Sequence, residues 1–459
     1  MPAVDADFLR RLRAAAGATS VLDAPADRHV YGGDNSRLHQ LPAAVVLARD
    51  EAQLQAVVAL AAERRVPITA RGRGTATTGA AVPVEAGIVV SFERMDQLSR
   101  IEPDDRLAVV EPGLLNGALQ QALAPAGFFW PADPTSAPYS TVGGNLACNA
   151  GGPRTVKYGA SRDNLLALRA ISGYGELIES GHRTSKTAVG YDLCRLYCGA
   201  EGTLGLITQA TLKLTPAPSA RRALRALYRD EAAACRAVAA IMAQPVTPSA
   251  LEFMDAGALA LVRRDPAVQL PDGQALLLLE VDGHPEELER AATAVETAAA
   301  VEGLVEWSAA TDPSQAAGLW AARKALSPML RSVAPKKINE DVVVPVSRLP
   351  RLLEGLRELA SRHALTIVNF GHAGNGNVHV NLLYDPADAG QAAAAQNCLA
   401  EVFEWVLDLG GTLSGEHGIG LLKRDFMSRA VAPATLQLMR QIKQVFDPAG
   451  IFNPGKVLP

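Results

Sequence analysis

The sequence predicts an α+β protein of two or three domains, and three observations lead there. At 459 residues the chain is too long for one ordinary hydrophobic core. Up to Leu214 short apolar runs alternate with stretches of helical periodicity. The character then changes at Pro216-Ala217-Pro218, beyond which a second series of strands and helices begins.

Met1 to Gly17 reads as a short amphipathic helix carrying Arg and Asp, without the apolar core of a signal peptide. Ala44 to Leu47 is an apolar strand, and Glu51 to Arg65 repeats apolar residues at helical spacing through Leu54, Val57, Val58 and Ala61. Pro67 to Ala70 is a second strand, entering the loop Arg71 to Gly79. Further strands are expected at Gly87 to Phe92, Leu107 to Glu111 and Leu204 to Leu214. The Gly-, Asn- and Pro-rich tract Pro131 to Tyr158 shows little regular pattern, and a loop of that length inside a compact domain is usually functional. Past Pro218, strands are expected at Arg221 to Tyr228, Ala250 to Met254 and Ala275 to Val281. Helices are expected at Asp230 to Ala243, Pro285 to Val301, Pro313 to Leu330 and Leu349 to His363. The last fifty residues hold one clear helix, Pro433 to Phe446.

Composition narrows the function classes. A formal net charge of -4 without a long basic run argues against nucleic acid as partner. No apolar run reaches the roughly 18 residues of a transmembrane helix. Five cysteines (Cys148, Cys194, Cys198, Cys235, Cys398) are few and odd in number, which suggests free thiols in a reducing compartment. A cytoplasmic location is expected.

Two groups of motifs carry chemistry. Glycines 72, 74 and 79 lie between a strand and the rest of the first domain, and backbone N–H groups of such a loop can face an anion. The spacing is not that of a Rossmann fingerprint, and a tight turn is an equal reading. Asp133-Pro134-Thr135-Ser136 through Asn145, Asn149 to Gly152, and Gly199 to Gly205 add further glycines with hydroxyl and amide donors. Three such loops in one domain can wrap a large dinucleotide. Near the other end, Gly371-His372-Ala373-Gly374-Asn375-Gly376-Asn377-Val378-His379 and Gly415-Glu416-His417-Gly418 gather three of the eight histidines beside a carboxylate. Imidazole nitrogens and a carboxylate oxygen suit Zn²⁺ and similar ions. If the 416–417 segment is extended, its two side chains point to opposite faces, so one can bind metal while the other moves a proton. The alternative is a Gly-rich turn between strands whose histidines are merely hydrogen-bonded.

Taken together, Arg71-Gly72-x-Gly74-Thr75, Pro134-Thr135-Ser136, Thr141-Val142-Gly143-Gly144-Asn145, Asn149-Ala150-Gly151-Gly152 and Glu201-Gly202-Thr203-Leu204-Gly205 resemble the FAD-binding half of the vanillyl-alcohol oxidase superfamily. The histidine motifs, Phe446-Asp447-Pro448 and Asn453-Pro454-Gly455-Lys456 look like its D-2-hydroxyacid dehydrogenase branch, which includes flavin D-lactate and D-2-hydroxyglutarate dehydrogenases and the flavin subunit of glycolate oxidase. The likeness spans residues 35 to 459 in order. It implies a two-subdomain FAD-binding domain (PCMH-type) over 35–217 behind an N-terminal helical segment, 1–34. It further implies an α+β cap domain with an antiparallel sheet over 218–410 and a small C-terminal helical segment, 411–459, that completes both sites.

By the same resemblance, FAD would be held by Arg71, Gly72, Arg73, Gly74, Thr75 and Gly79. Pro134, Thr135, Ser136, Thr141, Gly143, Gly144, Asn145, Asn149 and Gly151 would contribute from the long tract, with Glu201, Gly202, Gly205, Ile207 and Asn453. Members with covalent FAD place His or Cys in an FAD loop. The Arg71 to Gly79 loop has neither, so non-covalent FAD is expected, with Cys148 and Cys198 near the other loops. Metal ligation falls on His372, His379 and Glu416, with Zn²⁺ expected and Mn²⁺ or Fe²⁺ as alternatives, and the base role falls on His417. Arg323 matches a carboxylate-binding arginine, and Ser327, Lys337 and Asn381 complete the substrate set. In Pro335 to Asp341 the lysines are offset from the position associated with a distal-carboxylate lysine, where Asn339 falls, so D-lactate is favoured over D-2-hydroxyglutarate. A cytochrome, a quinone or an electron-transfer flavoprotein would accept electrons, NAD being disfavoured, and a homodimer is compatible. The rival readings are a metal-dependent hydrolase, which leaves the glycine loops without purpose, and a non-catalytic flavoprotein subunit, which has no need of a base beside a metal.

Overall fold

The computed structural model describes residues 4–84, 87–264, 270–310 and 312–459. Its chain forms two compact units: residues 1–152, 159–217 and 416–459, and residues 153–158 with 218–415.

In the first unit, Ala44–Leu47, Ile88–Ser91 and Ile68–Arg71 lie side by side in parallel, with Val21–Leu22 antiparallel at the edge. Parallel neighbours need a crossover, and the helix Glu51–Arg64 provides one. Asp50 caps that helix by accepting the Gln53 N–H at 2.8 Å, and Arg65 ends it in the left-handed region. Its apolar face buries Leu54, Val57, Val58 and Ala61 against Ile68 and Ile88, as the spacing predicts, with Phe8 and Leu12 of the N-terminal helix Ala6–Ala16 in the same core. A second, antiparallel sheet runs in the order Leu98–Glu102, Leu107–Val110, Leu206–Lys213, Leu165–Ile171, Leu177–Gly181 around a core that includes Trp130, Leu146 and Tyr197.

The 131–158 tract departs from the sequence reading, because Val142–Cys148 is a helix despite its paired glycines. Tertiary bonds supply what propensity lacks. Thr141 caps the helix through Gly144 N–H at 3.1 Å, while the N–H groups of Val142 and Gly143 donate to the carbonyls of Leu114 and Pro112, each at 2.8 Å. Gly143 permits that approach, since a Cβ there would sit 2.5 Å from the Pro112 Cβ.

The second unit is built on a seven-stranded antiparallel sheet. Its order is Leu304–Ala309, Ala220–Tyr228, Ala275–Gly283, Ala250–Met254, Thr366–Gly371, Asn377–Tyr384, Lys336–Val343. Its helices include Glu231–Ala243, Pro285–Ala299, Pro313–Met329, Leu349–His363 and Ala389–Asp408. The molecule is thus α+β, as expected. Among the described residues no helix is long and apolar enough to cross a membrane, and all five cysteines are free thiols.

Candidate active site

The histidine motif joins two inner strands of the second unit's sheet, fifth and sixth of the seven. Thr366–Gly371 runs into His372, a turn through Ala373–Asn375 reverses the chain, and Asn377–Tyr384 returns beside it. Gly376 makes the reversal at φ +72°, and any Cβ on it would overlap the Val344 carbonyl oxygen. The register sets His379 opposite Phe370 on one side and opposite Asp341 on the other. The His372 and His379 rings meet edge to face with centroids 5.1 Å apart.

Behind His372 lies Glu252, in the strand Ala250–Met254 and fully buried. One carboxylate oxygen faces His372 Nδ1 and the other accepts the Arg323 Nε–H at 2.7 Å. Burial pushes this carboxyl up, but the facing His372 and Arg323 outweigh it and hold it at about 2. An ionised carboxylate only accepts hydrogen bonds, so Nδ1 carries a proton toward Glu252, and Nε2 is the ring nitrogen that can ligate a metal when the imidazole is neutral.

Asp341 anchors the following segment. Its Oδ2 accepts the Gly415 N–H at 2.8 Å, and its carboxylate also takes the Ser414 hydroxyl. Glu416 is the next residue along. The ligand atoms offered by His372, His379 and Glu416 all lie within 4.8 Å of one another. Two imidazoles and a carboxylate, with both histidines buried, fit a divalent ion and leave coordination positions open to another ligand. Residues 414–417 form bends rather than a strand, so the opposite-face argument for Glu416 and His417 does not carry over. The cluster itself separates the two, because it contains Glu416 and not His417.

The substrate candidates differ in placement. Arg323 lies over the Phe370 ring, 4.7 Å from its centroid, tethered through Nε. Asn381 is buried, and its amide donates to the carbonyls of Val368 and His379, each at 3.0 Å, and accepts from Asn339 Nδ2 at 2.7 Å. Its amide donors are therefore committed within the sheet rather than presented to a substrate. Lys337 is half-buried opposite Leu383. The side chain of Ser327 lies outside the described residues.

In the first unit the Arg71 guanidinium donates to the Gly33 and Val30 carbonyls at 2.6 and 3.1 Å, tying its loop to the 30–33 segment; Arg73 is exposed and Thr75 half-buried. Gly72 lets that loop touch the Thr141 hydroxyl, while Gly74 and Gly79 take positive φ. The helix beginning at Val142 is not an open anion site, because the N–H groups of Val142, Gly143 and Gly144 are bonded within the fold. Pro134 to Ser136 form turns, Asn149 ends the helix in the left-handed region, and Ile207 and the backbone at Gly205 pack against the neighbouring strand at Ala170 and Ile171. Gly151 is buried, and Gly202 abuts Asn453. Asn453 Nδ2 donates to the Glu201 and Ala80 carbonyls at 2.6 and 3.3 Å, tying the C-terminus to two loops.

Glu201, expected at the cofactor, instead spends its buried carboxylate on the N–H groups of Ile419 and Gly420, at 2.7 and 2.9 Å. Three buried polar atoms of these loops have no partner among the described residues: Thr77 Oγ1, Ser140 Oγ and Asn145 Nδ2. Buried orphans of this kind call for a bound polar group, and their position on the glycine-rich loops fits a dinucleotide.

Family models place this arrangement. Residues 42–181 match the FAD binding domain and residues 217–457 match the C-terminal domain of FAD linked oxidases. The chain belongs to the FAD-linked oxidases. This FAD-linked oxidase is 34% identical to the glycolate oxidase subunit GlcD of Bacillus subtilis over 98% of the chain and 96% of that protein. It is 32% identical to a D-lactate dehydrogenase of Anaerostipes hadrus over 91% of this chain and 89% of that one. Against a D-2-hydroxyglutarate dehydrogenase of Stutzerimonas stutzeri it is 34% identical, over 94% of each. The fold is shared with p-cresol methylhydroxylase, at a TM-score of 0.82 and 18% identity over 98% of this chain and 96% of the other. The protein is an FAD-dependent oxidoreductase with the PCMH-type fold.

The anchoring roles of Glu252 and Asp341 escaped the sequence reading. Their signal was one acid inside the strand-like run Ala-Leu-Glu-Phe-Met and an acid pair inside Ile-Asn-Glu-Asp-Val. A buried strand keeps a carboxylate only where partners await it.

Proposed function

We propose that this FAD-linked oxidase is a metal-assisted dehydrogenase that oxidises a small D-2-hydroxy acid, D-lactate favoured, to the 2-oxo acid. The observation that carries the reading is the single buried carboxylate of Glu252 holding both His372 and Arg323. A ligand imidazole and a guanidinium anchored to one group suit a molecule whose hydroxyl and carboxylate sit on adjacent carbons. Relatives named glycolate oxidase subunit, D-lactate dehydrogenase and D-2-hydroxyglutarate dehydrogenase share that 2-hydroxycarboxylate unit.

Arg323 would grip the substrate carboxylate and fix its orientation. A divalent ion held by His372, His379 and Glu416 would make the substrate hydroxyl more acidic. His417 would accept the hydroxyl proton, imidazole being a side chain suited to general-base proton transfer. The glycine-rich loops of the first unit would hold FAD, which would supply the acceptor for the hydride from Cα. Removal of one proton and one hydride balances the conversion of hydroxy acid to oxo acid.

The position associated with a distal-carboxylate lysine holds Asn339, which offers no cation to a second substrate carboxylate. Asn339 is paired with Asn381, and the neighbouring Glu340 and Asp341 are buried acids. Non-covalent FAD is supported at Cys148 and Cys198, where burial pushes the first thiol far up and the second to about 12, keeping both from acting as thiolates. Electrons would leave to a non-NAD acceptor, either a carrier such as a quinone, cytochrome or electron-transfer flavoprotein, or a partner subunit, as the name of the glycolate oxidase relatives suggests.

Anaerobic mixing of the holoenzyme with glycolate, D-lactate, L-lactate and D-2-hydroxyglutarate, followed by flavin absorbance, tests the proposal. Bleaching by D-lactate and not by L-lactate is expected. Absence of bleaching by every member of the panel would overturn it.

A further inference from the structure

Resting on that functional reading, we infer that Glu252 is a positioning residue that couples the two halves of substrate recognition, setting the metal-ligating tautomer of His372 and the direction of Arg323 with one carboxylate. Glu252 sits on an inner strand of the sheet, paired with Leu278 on one side, while Phe253 pairs with Gly371 on the other. The register therefore brings Glu252 alongside His372 across 120 residues of sequence. Its neighbours Ala250, Leu251, Phe253 and Met254 are all buried and apolar.

An isolated carboxylate in that setting would be strongly unfavourable, and an apolar residue of similar volume serves stability equally well or better. What an apolar residue cannot do is accept two N–H bonds at once. Through Oε1 the carboxylate keeps the His372 proton on Nδ1. Through Oε2 it holds Arg323 Nε, with Phe370 under the guanidinium plane. The imidazole and the guanidinium are thus oriented by the same rigid group, and neither can turn without releasing its share of Glu252.

Glu252→Gln separates this role from a structural one. The amide has one acceptor oxygen, so its NH₂ must face either Arg323 Nε–H or His372. Facing His372, it drives the imidazole proton from Nδ1 to Nε2 and blocks the ligand atom. The expected variant is folded and binds FAD stoichiometrically. Its Zn²⁺ affinity, titrated into the metal-stripped FAD-loaded protein by competition with a chromogenic chelator, falls roughly 10- to 100-fold. Its KM for the acid that bleaches the wild-type flavin rises by a similar factor. Arg323→Met should raise KM and leave Zn²⁺ affinity alone, and His372→Ala should chiefly lower Zn²⁺ affinity, so only position 252 moves both. Glu252→Asp, which retains two acceptors on a shorter arm, should recover part of each loss and serves if the Gln variant does not fold. Wild-type Zn²⁺ affinity and KM in the folded Gln variant would overturn the inference alone. A wild type that binds no Zn²⁺ would overturn the functional reading and this inference with it.

Discussion

Replacing Glu201 with Ala should loosen the loop that carries His417 and weaken the first unit measurably. The Glu201 carboxylate is buried and is the acceptor for Ile419 and Gly420 N–H, at 2.7 and 2.9 Å, just beyond His417. No regular secondary structure holds residues 414–419. Thr78 adds further ties, its carbonyl taking Leu421 N–H at 2.8 Å and its hydroxyl donating to the His417 carbonyl at 3.3 Å. Each buried N–H left without its acceptor costs about 1–3 kcal/mol, so two of them cost about 4 kcal/mol, water entry lowering the figure. That is a large share of a typical 5–15 kcal/mol domain stability, and at roughly 2–4 °C per kcal/mol it corresponds to a fall of about 10 °C in Tm. The pH dependence carries a second signature. Burial pushes Glu201 from 4.5 to about 7, against the pull of its backbone donors and of Lys456 and Lys423. A carboxyl raised in the folded state binds its proton more tightly there than in the unfolded chain. Its contribution is therefore complete below pH 4.5 and lost as pH rises through 7. Between pH 5 and 8, wild-type stability should fall relative to Glu201→Gln by up to about 3 kcal/mol. Urea denaturation across that range, followed by flavin fluorescence and far-UV circular dichroism, reads both effects. A Glu201→Ala protein within about 1 kcal/mol of wild type at pH 5, where the Glu201 contribution is nearly complete, or parallel pH profiles for wild type and the Gln variant, would refute the reasoning.

Exhaustive chelation should abolish substrate-driven flavin bleaching while FAD stays bound, because the candidate ligands and the FAD loops are separate sets of residues; full activity in protein shown metal-free by elemental analysis counts against the metal. His417→Ala should slow flavin reduction by about 10²–10⁴-fold with metal content unchanged, whereas Glu416→Ala should lower metal occupancy and be partly rescued by added metal; the opposite pattern would exchange their roles. Arg323→Lys should raise KM for the hydroxy acid at least tenfold, since an ammonium cannot reproduce a fork held through Nε, and an unchanged KM removes Arg323 from substrate binding. Gly376→Ala, at φ +72° and against the Val344 carbonyl, should destabilise the second unit by at least about 2 kcal/mol and lower Zn²⁺ affinity through His372 and His379; a variant matching wild type in thermal denaturation and Zn²⁺ titration would show that the turn tolerates the side chain.

Local pattern alone determined much of this protein. The strands Ala44–Leu47 and Ala250–Met254 and the helices Leu349–His363 and Pro433–Phe446 follow directly from apolar periodicity and bounding residues. The grouping of His372, His379 and Glu416 was proposed because two short motifs bring three of the eight histidines beside a carboxylate, and the ligand atoms of these three residues lie within 4.8 Å of one another. Tertiary structure decided the rest. Val142–Cys148 is helical because the carbonyls of Leu114 and Pro112 receive its first N–H groups, partners that the local sequence does not contain. Resemblance places Glu201 among the cofactor candidates, but only the fold shows that its carboxylate meets the N–H groups of Ile419 and Gly420, more than 200 residues away. Glu252 went unnoticed because one acid in an apolar strand acquires meaning only when pairing brings His372 and Arg323 to it. Periodicity is written in neighbours along the chain, whereas the partner of a buried charge is chosen by strand register between segments far apart in sequence.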